Sequence, residues 1–239
     1  MSSKDAMASQ FVARTGASVA SASEYLKKTG YYLERAIDLY YNNPANANKS
    51  KVVLEKFFRE VAKGEATLYG DNLIDLITGC NSDPSDPVWL AVAQVCGAKE
   101  AGSFTLDEWA HGMRALSVSN LAELKKALPD LRKRATGRGQ DARNVYRFAF
   151  TYTLDPGVRN LKLEDALALW ELLLEPLAWP LYGRWVAFIS NRGAVVTKDT
   201  WNLVFELATT VRPDLSDFDP SGAWPVTIDE FVEAVKTTA

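Results

Sequence analysis

The sequence predicts an all-α, mostly helical protein, with a small three-helix module followed by a helical domain built on degenerate EF-hand-like pairs with short strands. Three observations carry that prediction. Apolar residues recur at helical spacing near the start, as at Leu33, Ala36, Ile37, Tyr40 and Tyr41. A short grammar of apolar residue, Thr, any residue, Asp, polar residue and aromatic returns along the rest of the chain. Its last copy follows Asp217-Phe-Asp-Pro-Ser-Gly222, which opens like a cation-binding helix–loop–helix.

Residues 8–43 read as three short helices: Ser9-Gln-Phe-Val-Ala-Arg14, a second from Ser18 to Lys28, and a third from Leu33 to Tyr41. Gly30, in Lys28-Thr-Gly-Tyr-Tyr32, is a natural stop for the second. Asn42-Asn-Pro-Ala-Asn-Ala-Asn-Lys-Ser50 has no apolar periodicity and is rich in loop formers, so a linker is expected there. The expected organisation is a module at 1–45, a linker at 46–50 and one domain at 51–239.

Within that domain the repeat has three clear copies: Ser103-Phe-Thr-Leu-Asp-Glu-Trp109, Val195-Val-Thr-Lys-Asp-Thr-Trp201 and Pro225-Val-Thr-Ile-Asp-Glu-Phe231. Asn160-Leu-Lys-Leu-Glu-Asp-Ala166 and Leu68-Tyr-Gly-Asp-Asn-Leu73 are looser copies. Physically, the grammar describes a short extended piece that turns at once into a helix. Thr105 and Thr227 each stand three residues before a glutamate, Glu108 and Glu230, which is the spacing of a capping box. Asp107, Asp199 and Asp229 are then expected at the second helical position, against the positive helix end. Short strands from paired loops, bridging helix pairs, are the architecture this implies.

The loop from Asp217 places oxygen side chains at its first, third and fifth positions (Asp217, Asp219, Ser221) and Gly222 at the sixth. The bidentate carboxylate required at the twelfth position is replaced by Ile228, and Pro225 occupies the ninth. A calcium-responsive EF-hand-like module is therefore the alternative reading that Ile228 argues against, and no metal site is expected. A helix–loop–helix that has lost its metal chemistry suits protein binding instead.

The rest of the inventory narrows the function further. A net charge of −3 gives no global attraction to nucleic acid or to an anionic membrane. Two cysteines, Cys80 and Cys96, without metal-ligand spacing suit a reducing compartment. The opening Met1-Ser-Ser-Lys-Asp5 leads into polar sequence, and no apolar run approaches the ~20 residues that cross a bilayer. A cytoplasmic and nuclear protein is expected. His111 is the single histidine, so nucleophile–histidine pairs and histidine-rich metal sites would all depend on it. It falls in a helical pattern as a partly exposed residue. No phosphate-cradling glycine loop, dinucleotide fingerprint or nucleophile elbow is present, and neither catalytic residues nor cofactors are expected.

Charge is unevenly spread. From Asp199 to Glu233 there are eight acidic residues and one basic residue, Arg212. Such a run is either a solvated face with helix-end carboxylates or a docking surface for a basic partner. Small Ala223 beside Trp224, within the run, suits a shallow notch. The basic counterpart is Lys125, Lys126, Arg132, Lys133, Arg134, Arg138 and Arg143. A nucleic-acid face there would need interleaved aromatics, and none occurs before Tyr146, so a solvated helix and loop is expected.

Lys198-Asp-Thr-Trp-Asn-Leu203 followed by Gly222-Ala-Trp-Pro-Val-Thr-Ile-Asp-Glu-Phe-Val-Glu233 resembles the C-terminal signature of the defective-in-cullin-neddylation proteins. Phe104-Thr-Leu-Asp-Glu-Trp-Ala-His-Gly-Met113 and Leu161-Lys-Leu-Glu-Asp-Ala-Leu-Ala-Leu-Trp170 fit the same family in the same order, so the resemblance covers roughly 51–236. Residues 8–43 resemble that family's ubiquitin-associated helical module. The resemblance implies a non-catalytic ligase component with a potentiating-neddylation domain. Its partners would be the C-terminal region of a cullin, the RING subunit of cullin ligases and the neddylation conjugating enzyme. It implies a cullin-binding patch at Asp199, Ala223 and Asp229. It also implies an apolar pocket for the acetylated N-terminus of the conjugating enzyme at Trp89, Leu90, Val92, Ala93, Cys96, Phe104, Tyr152, Leu169 and Leu172. Ubiquitin or a ubiquitin-like modifier would engage residues 8–43, and no nucleic acid or membrane partner is implied.

Overall fold

The structure is a computed structural model that describes residues 3–15 and 17–237. Among these are thirteen α-helices, one 3₁₀ turn at Glu175–Leu177 and a single two-stranded sheet, so the all-α prediction holds. The chain forms two compact units. One contains the residues up to Ser82 together with 95–98 and 102–127, and the other contains 83–94, 99–101 and everything from Leu128 onward.

The first unit begins with α1 (Ser3–Thr15), α2 (Val19–Lys28) and α3 (Leu33–Tyr41), which enclose their own core of Phe11, Ala22, Leu26, Ala36, Ile37 and Tyr40. Ser18 caps α2 by accepting the Ser21 amide at 3.2 Å. At its other end the Tyr31 amide reaches the Leu26 carbonyl (2.7 Å) and the Gly30 amide reaches Lys27 (3.2 Å), a Schellman ending with Gly30 at φ +65°. The glycine stop therefore works through backbone geometry.

The segment expected as a linker is instead the start of a long helix, α4 (Pro44–Val61). Two features offset its poor composition. Proline is favourable in the first helical turn, where its missing N–H has no partner to lose. Further along, Leu54, Phe57 and Phe58 are buried, and this packing outweighs weak intrinsic propensity. After β1 (Thr67–Tyr69), α5 (Gly70–Gly79) and α6 (Val88–Cys96), β2 (Ser103–Thr105) pairs antiparallel with β1, and buried Leu68 lies opposite buried Phe104. Helix α7 (Leu106–Leu116) follows at once. Thr105 Oγ1 accepts the Glu108 amide at 3.3 Å while Glu108 returns a bond to the Thr105 amide at 2.9 Å, completing the expected capping box. Trp109 on α7 meets Phe57 of α4 at 5.6 Å between ring centroids. His111 is exposed on the same helix.

Helix α8 (Leu121–Thr136) leads to the rest of the second unit, α9 (Gln140–Thr153), α10 (Leu163–Leu173), α11 (Tyr182–Arg192), α12 (Lys198–Thr210) and α13 (Val226–Thr237). Trp170, Trp185 and Trp201 are fully buried at its centre. Trp170 stacks on Trp201 at 5.6 Å, Tyr146 also stacks on Trp201 at 4.3 Å, and Trp185 meets Phe231 edge-on at 5.2 Å. Two of the three indole N–H groups in this cluster are paired, while Trp185 Nε1 is buried without a partner among the described residues. Trp170 Nε1 donates to the Tyr146 hydroxyl (2.7 Å), which donates to the Trp201 carbonyl (2.9 Å), and Trp201 Nε1 donates to the Tyr146 carbonyl (2.9 Å). A second short pairing joins Leu161 and Val196 through two backbone bonds of 3.0 and 2.9 Å. Four of the five repeat copies thus show an extended residue paired across a loop, immediately before a helix.

Candidate protein-docking site

One end of the second unit gathers several helix starts. The Leu161–Val196 bridge holds the starts of α10 and α12 together, since α10 begins two residues after Leu161 and α12 two residues after Val196. Helix α13 joins the same end because it runs antiparallel to α11. Arg184, early in α11, donates to the carbonyl of Val235 late in α13 (3.2 Å), whereas Arg192, at the end of α11, pairs with Glu230 near the start of α13. Only 193–197 separate the end of α11 from the start of α12, so Asp199 and Asp229 lie at one end of the unit.

The two aspartates are presented differently. Asp199 is exposed at the second position of α12, whose cap is Thr197 Oγ1 accepting the Thr200 amide at 3.1 Å. Asp229 was expected at the same position of α13 with Thr227 as its cap, but α13 starts at Val226 and Asp229 is its fourth residue. The reason is Pro225, whose carbonyl accepts from the amides of Ile228 (2.8 Å) and Asp229 (3.2 Å) and so starts the helix two residues before Thr227 would. Asp229 is half-buried within the first turn, where the helix end still favours negative charge.

The remaining acids of this run are largely occupied. Glu206 pairs with Arg143 at 2.8 Å and Arg147 at 4.0 Å, and Glu230 pairs with Arg192. Asp214 and Asp219 each accept from a serine two residues on, Ser216 and Ser221, and these bonds hold both carboxyls below the usual carboxylate range. Asp217 accepts the Arg212 amide at 2.8 Å. The oxygens that mimic the start of a cation loop are thus turned onto their own backbone. Asp199 and Asp229 make no side-chain hydrogen bond or ion pair among the described residues.

Between them in sequence, Ala223 is exposed on a loop that is locked rather than open. Trp224 stacks on Phe218 at 5.2 Å and its Nε1 donates to the Asp219 carbonyl at 3.0 Å. A β-carbon on Gly222 would sit 2.8 Å from that indole nitrogen, so the loop requires glycine there.

The basic run does not form one face. Arg132 forms a bidentate pair with Asp86, Arg138 donates to the carbonyls of Leu177 and Ala208, and Arg143 serves Glu206. Of the apolar residues expected to line a pocket, Trp89, Val92, Ala93, Cys96, Phe104 and Leu169 are buried and Leu90, Tyr152 and Leu172 are half-buried. Cys96 lies against Gly112 of α7, and burial pushes its thiol up to about 12. Cys96 and Phe104 belong to the first unit and the other seven to the second.

Residues 123–234 match the Cullin binding family and residues 5–47 the UBA-like domain. The "Defective in cullin neddylation protein 1" of Yarrowia lipolytica is 30% identical over 93% of this chain and 92% of its own length. The chain belongs to the defective-in-cullin-neddylation family. Similar proteins include the "Defective in cullin neddylation protein 1" of Caenorhabditis elegans, 28% identical over 94% of this chain and 87% of that one, and the human "DCN1-like protein 4", 32% identical over 80% and 64%. Asp199, Ala223 and Asp229 all fall within the stretch matched by the Cullin binding family, as do Tyr152, Leu169 and Leu172. Sequence reasoning missed Arg192, which neutralises Glu230 from another helix. Its place at the end of an amphipathic segment was the only signal available.

Proposed function

We propose that the chain is a non-catalytic ligase component that binds the C-terminal region of a cullin at Asp199, Ala223 and Asp229 and promotes transfer of a ubiquitin-like modifier onto it. One observation carries this reading: two carboxylates without internal partners share one end of the unit, inside the stretch matched by the Cullin binding family. A charge left unpaired at a folded surface is free to form a directed pair with a basic partner, and same-sign pairs of this kind set orientation and speed encounter. The second partner is the neddylation conjugating enzyme, whose acetylated N-terminus is held by apolar side chains that include Leu90, Tyr152 and Leu172. The RING subunit of the cullin ligase completes the assembly, and the UBA-like module takes ubiquitin or a ubiquitin-like modifier. Holding the cullin and the charged conjugating enzyme together raises effective concentration and restricts the approach of thioester and acceptor lysine. The chemistry then belongs to the partners.

The test is the double reversal Asp199→Lys with Asp229→Lys. Breaking a desolvated charge pair typically costs about 2–5 kcal/mol, or roughly thirtyfold to several thousandfold in affinity. Binding to a cullin C-terminal domain and stimulation of modifier transfer are expected to be lost, with circular dichroism and conjugating-enzyme binding preserved. A folded double mutant that binds the cullin normally refutes the patch. Leu172→Asp reports on the other partner and is expected to abolish conjugating-enzyme binding while sparing cullin binding.

A further inference from the structure

The docking end of the second unit also carries its exposed apolar surface. Among the described residues of that unit only three large hydrophobic side chains are exposed: Val158, Val195 and Val226, at 46%, 57% and 66%. Single exposed valines are ordinary, but these three are not scattered. Val195 is the neighbour of Val196 in the Leu161–Val196 bridge; Val196 turns inward and is buried, which sends Val195 to the opposite face. Val158 lies three residues before the other member of that bridge. Val226 opens α13, three residues after Ala223 and three before Asp229, at the end tied to α11 by the Arg192–Glu230 pair. Val195 in turn sits between Arg192 and the start of α12. The exposed apolar residues of the unit therefore occupy the same end as Asp199 and Asp229.

We infer that Val195 and Val226 are the apolar half of the docking surface, so that the segment they receive must carry an aliphatic or aromatic side chain beside its basic residues. This rests on the cullin reading above and deepens it. The charges alone would accept any flexible basic peptide and lose it at moderate salt, because exposed pairs are screened within about 8–10 Å. An apolar contact has the opposite salt response and no tolerance for a purely basic ligand. The combination selects an amphipathic cullin segment over generic polycations, with Asp199 and Asp229 fixing its direction and the valines fixing which residue it must present. The occupant is thus a basic segment with an apolar anchor within a turn of its lysines or arginines.

Full-length protein carrying Val226→Ser, Val195→Ser or the pair is titrated with a cullin C-terminal domain at low and at moderate salt. Asp199→Asn is titrated in parallel. Removing a buried valine side chain is expected to weaken binding roughly three- to fifteenfold per position, with the salt dependence of affinity unchanged. Asp199→Asn is expected to flatten the salt dependence instead. Because both valines are exposed, the melting curves of the serine variants are expected to overlay the wild type. Val226→Leu, which enlarges the apolar contact, provides a folded control that keeps binding. If the wild type fails to bind the cullin domain, the cullin reading falls and this inference with it. If the wild type binds, Asp199→Asn weakens it and the serine variants bind as the wild type does, the inference alone is overturned.

Discussion

Replacing Tyr146 by phenylalanine isolates the polar network that holds α9, α10 and α12 together. The ring remains, so its 4.3 Å stack on Trp201 is preserved and almost no cavity forms. What is lost is one hydroxyl that accepts from Trp170 Nε1 at 2.7 Å and donates to the Trp201 carbonyl at 2.9 Å, inside a cluster whose members are 0–1% exposed. The carbonyl belongs to a helix and keeps the chain's own α-helical bonding. The indole N–H has no such substitute and becomes a buried donor without a partner, a loss of about 1–3 kcal/mol. With roughly 2 kcal/mol as the central value, Tm is expected to fall by about 4–8 °C for a chain of this size. Urea unfolding followed by tryptophan fluorescence checks the free energy directly, and the slope with denaturant is expected to stay constant because the surface exposed on unfolding does not change. Cullin binding well below the transition is expected to be unaltered. A Tyr146→Phe variant within about 0.5 kcal/mol of the wild type would falsify the claim that this hydroxyl satisfies the core, since orphaning a buried donor cannot be that cheap.

Two further outcomes follow from other parts of the molecule. Asp86 accepts the amide of Val88 at the start of α6 (3.0 Å) and binds Arg132 through both oxygens, so Asp86→Ala removes a helix-start bond and a bidentate pair together. A loss of about 1–3 kcal/mol is expected in urea unfolding, with Asp86→Asn less damaging because it keeps the helix-start acceptor. Cys80 and Cys96 are buried thiols pushed up to about 11 and about 12. Folded, they keep protons that the unfolded chain releases from about pH 9, so their contribution is complete below pH 9 and is lost as pH rises through 11–12. The wild type is expected to lose up to about 1.4 kcal/mol per pH unit per thiol relative to a Cys80→Ala, Cys96→Ala variant, measured by denaturation at pH 7, 9 and 10. Parallel pH profiles of the two proteins would contradict it.

Features that depend on a few neighbouring residues were legible in the sequence. Gly30 ends α2, Thr105 and Glu108 cap α7, and the alternation around Leu68, Phe104, Leu161 and Val196 yields the short paired segments. Each is governed by backbone conformation and by hydrogen bonds within about one helical turn, so local chemistry suffices. The replacement of the twelfth-position carboxylate of the loop by Ile228 is likewise visible without a fold. Asn- and Ala-rich 44–50 read as linker because its own composition is all a local rule can weigh, whereas burial of Leu54, Phe57 and Phe58 further along α4 decides that it is helical. The start of α13 shifted in the same way, since the Pro225 carbonyl captured two amides that a threonine cap would otherwise have organised. The acidic run is the clearest case. Sequence counts eight carboxylates; the fold brings Arg143 to Glu206 across 63 residues and Arg192 to Glu230 across 38, and leaves Asp199, Asp229 and Glu233 without internal partners among the described residues. A charge is a property of the residue, but whether it remains available to another protein depends on what the rest of the chain brings within a few ångströms of it. That was decided only in three dimensions.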